Sequence, residues 1–440
     1  MPTLAAKSLP ISLQAASLPP LTTAPPLKAC RVCCVVPIRN EVEHLPAMLR
    51  ALAQQVDSHR QPLDPESYEV LLLANNCNDG SGEVARSLGK IYPQLQLHVI
   101  EVTLPKSQAN VGYARRLVMN EAYRRLSLLG RSRGIIASTD GDTEVSPTWL
   151  SSLLKEFDRK VDAVGGRILT RRTAAGENPK ATSLYFLRYV AYQYLTAQLE
   201  AFLDPLSHDD LPRHHQYFGA NLAVSAEMYG RVGGIPEDAP LEEDVALYRR
   251  LQQADAKIRH SPHVRVITSA RQVGRVNGSS LAHRLRYLSQ VSRQGQSIFV
   301  ESPWLTEARI LARNRLRQIW TRLNSENGRD LMKNQILIKV LANRLELAKA
   351  YLQQEIESAP TFGLLMESIE SYQKQQLDAS VWYYKGAEIS LANMHLRQRL
   401  RSLQQPSAEV SKVWIARTKF RLSLETFKQV QSIPLFSLTD

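Results

Sequence analysis

Long apolar runs are missing from this 440-residue sequence. The longest, 33–37 and 70–74, have the length of a strand and fall far below the ~20 residues that a membrane-spanning helix needs. Residues 1–29 are rich in proline and contain no uninterrupted apolar region of the signal-peptide type. We therefore predict that 1–29 form a disordered N-terminal lead-in.

Cysteine is also scarce. Four cysteines (Cys30, Cys33, Cys34 and Cys77) are too few for a disulfide framework in a chain of this length. Cys30 and Cys33 have the spacing of half a zinc site, but no second pair accompanies them. We interpret them as core thiols on and before a buried strand, which fits a reducing cytoplasm.

Acidic residues are outnumbered, with 42 Asp and Glu against 55 Lys and Arg and a net charge of +13. Such a balance favours anionic partners: nucleotide diphosphates, an anionic membrane surface or nucleic acid. Arg309, Arg313 and Arg317 are spaced four apart on one face of a predicted helix. They predict either a peripheral contact with an anionic membrane or packing of that helix on the catalytic domain.

Up to about residue 280, short apolar strands alternate with helical patterns. This alternation predicts an α/β fold with a parallel, doubly wound sheet. Polar clusters at 39–41, 75–81 and 140–142 each follow a predicted strand, and ligands of such sheets bind beyond the carboxyl ends of the strands. The later pattern is helical only. We thus predict a catalytic α/β domain over 30–279 and a helical C-terminal region over 280–440.

Asp140 and Asp142 flank Gly141 at the end of a predicted strand. Two carboxylates one residue apart can bind a hard divalent cation, Mn²⁺ or Mg²⁺, which would bridge the phosphates of a nucleotide donor. Asp-Gly-Asp is also an ordinary turn sequence. Its context in the chain therefore has to decide between the two interpretations.

That context is an ordered set of motifs. They are VVPIRNE at 35–41, NNCNDGS at 75–81, NVGYARR at 110–116, TDGD at 139–142, FGANLAV at 218–224 and LEEDVALYRRL at 241–251. Together they resemble glycosyltransferase family 2 over roughly 31–275, and 203–275 is similar to a bacterial branch of uncharacterised family 2 enzymes. The resemblance implies an inverting hexosyltransferase with a GT-A fold, a Rossmann-like, mostly parallel sheet flanked by helices, here followed by a helical extension.

The resemblance also implies a set of donor-binding residues. These are Pro37, Asn40 and Glu41 beside the nucleoside, Asn76 and Asp79 near the base, Arg115 at the diphosphate, Asp140 at ribose or metal-bound water, and Gly219 and Asn221 along the sugar. Many family members have an aspartate where this chain has Asn76. Because an amide both donates and accepts hydrogen bonds, UDP-, GDP- and ADP-type donors all stay open.

The pair Glu243-Asp244 matches the residues that supply the general base of the family. The resemblance implies Asp244 as the base and Glu243 as its orienting partner or the second choice. For the metal it implies Asp142 as the direct ligand, with Asp140 beside it. The family often adds a histidine where this chain has Thr268-Ser269, so either the metal keeps extra waters or a histidine reaches in from elsewhere (His208, His214 or His215).

The sequence therefore predicts an inverting glycosyltransferase that moves a sugar from a nucleotide-diphosphate donor to an unidentified acceptor hydroxyl with a divalent metal. Nucleic acid is not an expected partner. A function from another class stays open, namely a non-catalytic nucleotide-sugar-binding scaffold whose helical tail docks to a membrane or a partner. The departures at Asn76 and Thr268 motivate that alternative.

Overall fold

A computed structural model describes residues 11–171, 179–239, 242–269, 287, 288, 290, 291, 294–324, 331–376 and 386–405. The chain divides into two compact units. The α/β unit comprises the described parts of 9–177 and 207–287, and the helical unit comprises those of 178–206 and 288–440. The helix that includes 179–203 thus groups with the C-terminal helices. The domain boundaries at 29/30 and 279/280 stay a prediction.

Eight strands of the α/β unit form one sheet in the order β3-β2-β1-β4-β7-β6-β8-β5. Their bounds are β1 Val32–Ile38, β2 Tyr68–Asn75, β3 Leu97–Val102, β4 Ile135–Ser138, β5 Thr143–Val145, β6 Ala163–Thr170, β7 Leu222–Ser225 and β8 Ile258–Thr268. The pairs β1–β2, β1–β4, β2–β3 and β6–β8 are parallel, whereas β7 and β5 run antiparallel to their neighbours. The predicted α/β class, a mostly parallel sheet flanked by helices, is confirmed.

Strands β1 and β2 are buried along their whole length. Their near-continuous Val, Leu and Cys side chains are typical of parallel strands covered by helices on both faces. Because β1, β2 and β4 are parallel, their carboxyl ends meet at one edge of the sheet. The three predicted polar clusters all lie at this edge.

Twelve helices are described. In the α/β unit they are α1 Leu45–Ala53, α2 Ser81–Ile91, α3 Val111–Leu128, α4 Trp149–Asp158, α6 Ala226–Arg231 and α7 Glu243–Gln253; in the helical unit they are α5 Pro179–Leu203, α8 Pro303–Leu323, α9 Leu331–Leu345, α10 Lys349–Ser358, α11 Phe362–Gln376 and α12 Ile389–Leu403. The helical unit also has a short hairpin of β9 Phe299–Glu301 and β10 Gly386–Glu388. No helix of the described ranges has the length and apolar character needed to cross a bilayer.

The arginines of α8 are held inside the helical unit. Arg309 pairs with Glu301, and Arg313 and Arg317 both donate to the buried carboxylate of Asp204 at 2.8 and 3.1 Å. A charge that is paired and buried in this way is not available to lipid headgroups. The predicted arginine face towards an anionic membrane is therefore wrong, because these side chains serve packing within the unit.

The predicted disorder of 1–29 is also wrong for its described part, 11–29. Leu13, Leu21 and Leu27 pack against the core beside α3. The Tyr123 hydroxyl donates to the Leu13 carbonyl oxygen, and Arg125 donates to the Ala24 and Pro25 carbonyl oxygens. A proline-rich stretch without regular structure is thus ordered by its tertiary contacts.

The thiols of Cys30, Cys33 and Cys34 are fully buried, as expected for core residues. Cys30 Sγ lies 3.9 Å from Cys33 Sγ, and the Glu69 carboxylate completes a compact group. Glu69 is already paired with Arg125, which has no exposed side-chain surface. Burial raises the pKa of Cys34, and the Cys30 hydrogen bond together with burial raises that of Cys33, so both thiols stay protonated.

Candidate active site

The loops that follow β1 and β2 are joined by hydrogen bonds. Asn78 N donates to Asn40 Oδ1 at 2.9 Å, and Val42 N donates to Asp79 Oδ2 at 3.2 Å. Glu41 N donates to Ser81 Oγ at 2.9 Å. Asn40 adopts a φ of 55°, a conformation that asparagine tolerates better than most residues. The two loops therefore form one rigid wall at the carboxyl edge of the sheet.

Asn76 and Asp79 have roles within this wall. Asn76 Nδ2 donates to the Leu104 carbonyl oxygen at 3.0 Å, and Leu104 N donates back to Asn76 Oδ1 at 2.9 Å. Asp79 Oδ1 accepts from both Ser81 N and Ser81 Oγ. The Asn76 amide is thus engaged at both ends, which argues against its predicted contact with the base.

The Asp140–Asp142 turn packs directly on the first loop. A Cβ at Gly141 would lie 2.6 Å from Ile38 Cγ2 and 3.0 Å from Glu41 Cγ. Glycine is needed at 141 for this close approach of the backbone. Glu41 is itself buried. The wall formed by the loops after β1 and β2 and the predicted metal carboxylates therefore form one continuous surface.

Asp142 faces the end of β8. Ser269 Oγ donates to Asp142 Oδ2 at 3.0 Å, and Thr268 Oγ1 lies 3.4 Å from Asp142 Oδ1. The position predicted for a histidine ligand thus holds hydroxyls that orient the carboxylate. With Asp140, the donor set is made of oxygen atoms, which fits a hard cation such as Mg²⁺ or Mn²⁺.

His214 is unsuited to be the missing metal ligand. Its Nε2 lies 2.9 Å from the Ser261 carbonyl oxygen, and its Nδ1 accepts from Gln216 N. Burial and the nearby His260 lower the pKa of His214 to about 3, so the ring is neutral. Both ring nitrogens are already used by the backbone.

Arg115 is the centre of the site. From α3, its Nε donates to Glu243 Oε1 at 2.8 Å and its Nη2 donates to Asp140 Oδ1 at 2.7 Å. Its Nη1 donates to Ser138 Oγ at 2.6 Å and to the Gly219 carbonyl oxygen at 3.1 Å. The guanidinium joins the end of β4, the turn before β7 and the start of α7. Its predicted contact with the diphosphate stays a prediction, since four of its five N–H groups have protein partners.

Gly219 and Asn221 have structural partners. A Cβ at Gly219 would lie 2.7 Å from Arg115 Cζ, so the missing side chain makes room for the guanidinium. Asn221 is 1% exposed; Trp149 Nε1 donates to its Oδ1, and its Nδ2 donates to the Arg167 and Val264 carbonyl oxygens. These contacts hold the register shift between β6 and β8 at Gly166/Arg167. They argue against the predicted contacts of both residues with the sugar.

Glu243 and Asp244 begin α7 beside this cluster. The Gly219 N–H donates to Asp244 Oδ2 at 2.7 Å. Glu243 is buried and turned towards Arg115, which suits the predicted orienting partner. Asp244 Oδ1 accepts from Val245 N at 2.8 Å, so both oxygens of this carboxylate have backbone partners.

The electrostatics of Asp244, Asp140 and Arg115 are linked. Burial raises the pKa of Asp244 to about 6, and the neighbouring Glu243 adds to the increase. Burial also raises the pKa of Asp140, against the opposing effect of Arg115 and with a further increase from Asp142. For Arg115, burial lowers the pKa, but Asp140 and Glu243 outweigh it and the net shift is upward. Arg115 therefore keeps its positive charge and lies between the carboxylates of Asp140 and Glu243, to both of which it donates hydrogen bonds.

The structure brings together two groups of predicted residues. One contains Asn40, Glu41, Asn76 and Asp79, with Pro37 in the adjoining strand; the other contains Arg115, Asp140, Gly219, Glu243 and Asp244, with Asp142 beside it. Sequence reasoning missed Ser138, whose only signal is a hydroxyl in an otherwise apolar strand. It also gave Ser269 no role.

Comparisons with known proteins give a family match and a sequence relative. Residues 33–209 match the family model described as glycosyl transferase family 2. Glycosyltransferase AglE of Haloferax volcanii is 27% identical over 135 residues, which are 30% of this chain and 38% of that protein. The chain therefore matches well under half of the length of that relative.

Solved structures give looser similarities. Mannosyltransferase PcManGT from Pyrobaculum calidifontis, solved with GDP-Man and Mn²⁺, has a TM-score of 0.39 and 16% identity over 91% of this chain and 92% of that chain. Residues 1–349 of S. aureus TarS have a TM-score of 0.36 and 13% identity over 79% of this chain and 93% of that chain. The family match and the ordered motifs point the same way: residues 33–209 of this chain are similar to glycosyl transferase family 2.

Proposed function

We propose that this protein is an inverting glycosyltransferase that transfers a sugar from a nucleotide-diphosphate donor to an acceptor hydroxyl with a divalent metal. The observation that carries the proposal is the position of Arg115. It connects Asp140, next to the metal carboxylate Asp142, to Glu243, next to the base Asp244. The groups for the leaving nucleotide and for the acceptor are thus held in a single cluster.

The chemistry follows from these groups. Asp244 Oδ removes the proton of the acceptor hydroxyl, the hydroxyl oxygen bonds to the anomeric carbon, and the bond from that carbon to the diphosphate oxygen breaks on the opposite face. A carboxylate whose pKa is about 6 is ionised at neutral pH and still basic enough to accept a proton. Gly219 N–H keeps the carboxylate oriented.

A divalent cation held by Asp142, with Asp140 beside it, would neutralise charge on the leaving diphosphate. The remaining roles belong to the chain itself. Glu41 and the loop 75–81 border the nucleoside, and the hydroxyls of Thr268 and Ser269 orient Asp142. Because the Asn76 amide is hydrogen-bonded to Leu104, other groups would contact the base of the nucleotide. UDP-, GDP- and ADP-type donors all remain candidates.

The test compares Asp244→Asn with Asp142→Asn. The first keeps the size of the side chain and the acceptor for Gly219 N–H but removes the base, so transfer should be abolished while donor binding persists. The second should weaken metal-dependent donor binding. Normal turnover by Asp244→Asn would show that the base is assigned wrongly. Donor binding by wild type without any transfer or donor hydrolysis would instead favour the non-catalytic scaffold.

A further inference from the structure

A buried polar cluster lies outside the proposed donor site, between the segment before Gly219 and strand β8. Its centre is Asp209, which is 2% exposed. Asp209 accepts from His260 N and lies 2.8 Å from His260 Nδ1, and Arg213 approaches it at 3.1 Å. Burial raises the pKa of Asp209, but His260 and Arg213 outweigh this and lower it. Asp209 is therefore a fixed anion.

This anion fixes one end of the His260 ring. A carboxylate accepts hydrogen bonds only, so His260 Nδ1 carries a proton and donates it to Asp209. Tyr248 Oη lies 3.2 Å from His260 Nε2. Asp209, His260 and Tyr248 therefore form one hydrogen-bonded series. We call these three residues the supporting triad.

The supporting triad is connected to Asp244 by two routes. Tyr248 lies four residues after Asp244 on α7, so the two side chains share a face of the helix. The Tyr248 ring also stacks on Tyr217, with centroids 3.7 Å apart and an interplanar angle of 11°. Tyr217 precedes Gly219 by two residues, and Gly219 N–H donates to Asp244. The two routes meet at the carboxylate.

The start of α7 needs such support. Glu242, immediately before the helix, has a φ of 63°. A left-handed conformation at a residue other than glycine is strained and persists only where surrounding contacts impose it. The stacked tyrosines and His260 hold the first turns of α7 from one side, and Arg115 holds Glu243 from the other.

We infer that Asp209, His260 and Tyr248 are positioning residues that fix the Asp244 carboxylate for proton abstraction. The inference rests on the proposed function, in which Asp244 is the base. The triad acts through Tyr217 and α7, because the Tyr248 hydroxyl is used by His260 and the triad places no group on Asp244 itself. Its loss should therefore lower kcat and leave the binding of both substrates unchanged.

Three variants test the inference. Tyr248→Phe removes the hydroxyl and keeps the stacked ring. His260→Asn keeps a donor near Asp209 but is too short to reach Tyr248, whereas His260→Gln can still reach Tyr248. Tyr229→Phe is the matched control, because it removes a hydroxyl that donates to Asn120 at 2.8 Å in the same unit, away from the site.

We expect Tyr248→Phe and His260→Asn to lower kcat about tenfold with unchanged KM for donor and acceptor, since small misplacements of a reacting group cost one to two orders of magnitude. His260→Gln should recover most of the rate. The double variant Tyr248→Phe/His260→Asn should be no slower than either single variant, because both changes break the same hydrogen-bonded series. A loss no larger than that of Tyr229→Phe would overturn the inference.

Hydrogen exchange measured by mass spectrometry gives a readout that needs no activity. The peptide with the Gly219 N–H should exchange faster in Tyr248→Phe and His260→Asn than in wild type, Tyr229→Phe or His260→Gln. Unchanged exchange would also overturn the inference. If exchange changes as expected but Asp244→Asn still transfers sugar, the triad positions Asp244 and the base assignment alone has failed.

Discussion

Arg115 has an unusual number of partners for one side chain. It is almost fully buried and contacts two carboxylates, one hydroxyl and one carbonyl oxygen from separate parts of the chain. A buried cation of this kind is valuable mainly because its removal leaves the opposing charges without compensation. Arg115 therefore fixes the geometry of the site as well as stabilising the fold.

Replacing Arg115 by Met should therefore destabilise the α/β unit by about 3–5 kcal/mol, because the buried Glu243 and the half-buried Asp140 would lose their counter-charge. Urea unfolding measures this loss. The neighbouring Arg116 pairs with Glu237, which is 79% exposed, so Arg116→Met should cost less than about 1 kcal/mol. Equal losses for the two variants would contradict the proposed central role of Arg115.

The pKa of Asp244 predicts how activity depends on pH. In the free enzyme, kcat/KM should fall tenfold per pH unit below about 6, as the base becomes protonated, and level off above that value. The groups facing Asp244 are Glu243, which raises the pKa together with burial, and Arg115, which opposes them. A profile without a break between pH 5 and about 7 would remove Asp244 as the titrating base.

The same shift has a consequence for stability. The pKa of Asp244 is higher in the folded protein than in the unfolded chain, so ionisation of this carboxyl lowers the free energy of unfolding. The loss is complete once pH has risen through about 6. Asp244→Asn should therefore gain more in free energy of unfolding at pH 8 than at pH 5 relative to wild type. Denaturant midpoints at the two pH values measure the difference.

At the scale of elements, α8 shows how far spacing alone can mislead. Arg309, Arg313 and Arg317 have the spacing of a basic surface stripe, but the carboxylate of Asp204 that holds two of them lies 109 residues earlier than Arg313. Helical periodicity places residues on one face, and it does not state which element packs there. The partner had to come from the structure.

The carboxyl edge of the sheet was more predictable. Strands β1, β2 and β4 are apolar runs that end in polar turns, and parallel pairing brings such ends together. The contacts of Asn221, His260 and Tyr248 were not predictable in the same way. They join segments tens of residues apart through antiparallel pairs and a register shift, for which the sequence has no periodic signal.

Asp204→Ala tests the interpretation of α8. It would leave Arg313 and Arg317 without their shared carboxylate, at a cost of about 3–5 kcal/mol to the helical unit. Glu357→Ala, on an exposed face of α10, should change stability by less than about 0.5 kcal/mol. Unfolding monitored by circular dichroism measures the stability of both variants. An Asp204→Ala variant as stable as wild type would show that the ion pairs of Asp204 with Arg313 and Arg317 contribute nothing to stability.

At the scale of the whole molecule, a net charge of +13 suits a protein whose proposed donor carries a diphosphate. A ligand that binds only the folded state raises its stability, by about 2.7 kcal/mol at a concentration of 100 Kd. Thermal shifts with nucleotide diphosphates therefore report binding before any acceptor is known.

We expect UDP, GDP or ADP with Mn²⁺ or Mg²⁺ to raise Tm by roughly 5–10 °C near saturation, and EDTA to abolish both this shift and transfer. Adding the metal back should restore both. Asp142→Asn should lose the metal-dependent part of the shift, whereas Asp162→Asn, away from the site on the loop before β6, should keep it. A shift that is insensitive to EDTA would contradict the proposed metal dependence.

The segment 11–29 has a bearing on biosynthesis. Leu13, Ala24 and Pro25 leave the ribosome well before their partners Tyr123 and Arg125, which are translated about a hundred residues later. At 5–20 residues per second this delay is on the order of ten seconds. During that interval the fully apolar β1 lacks α3, which covers one of its faces, and its neighbouring strand β4, so nascent chains of this protein should depend on chaperones that shield that strand.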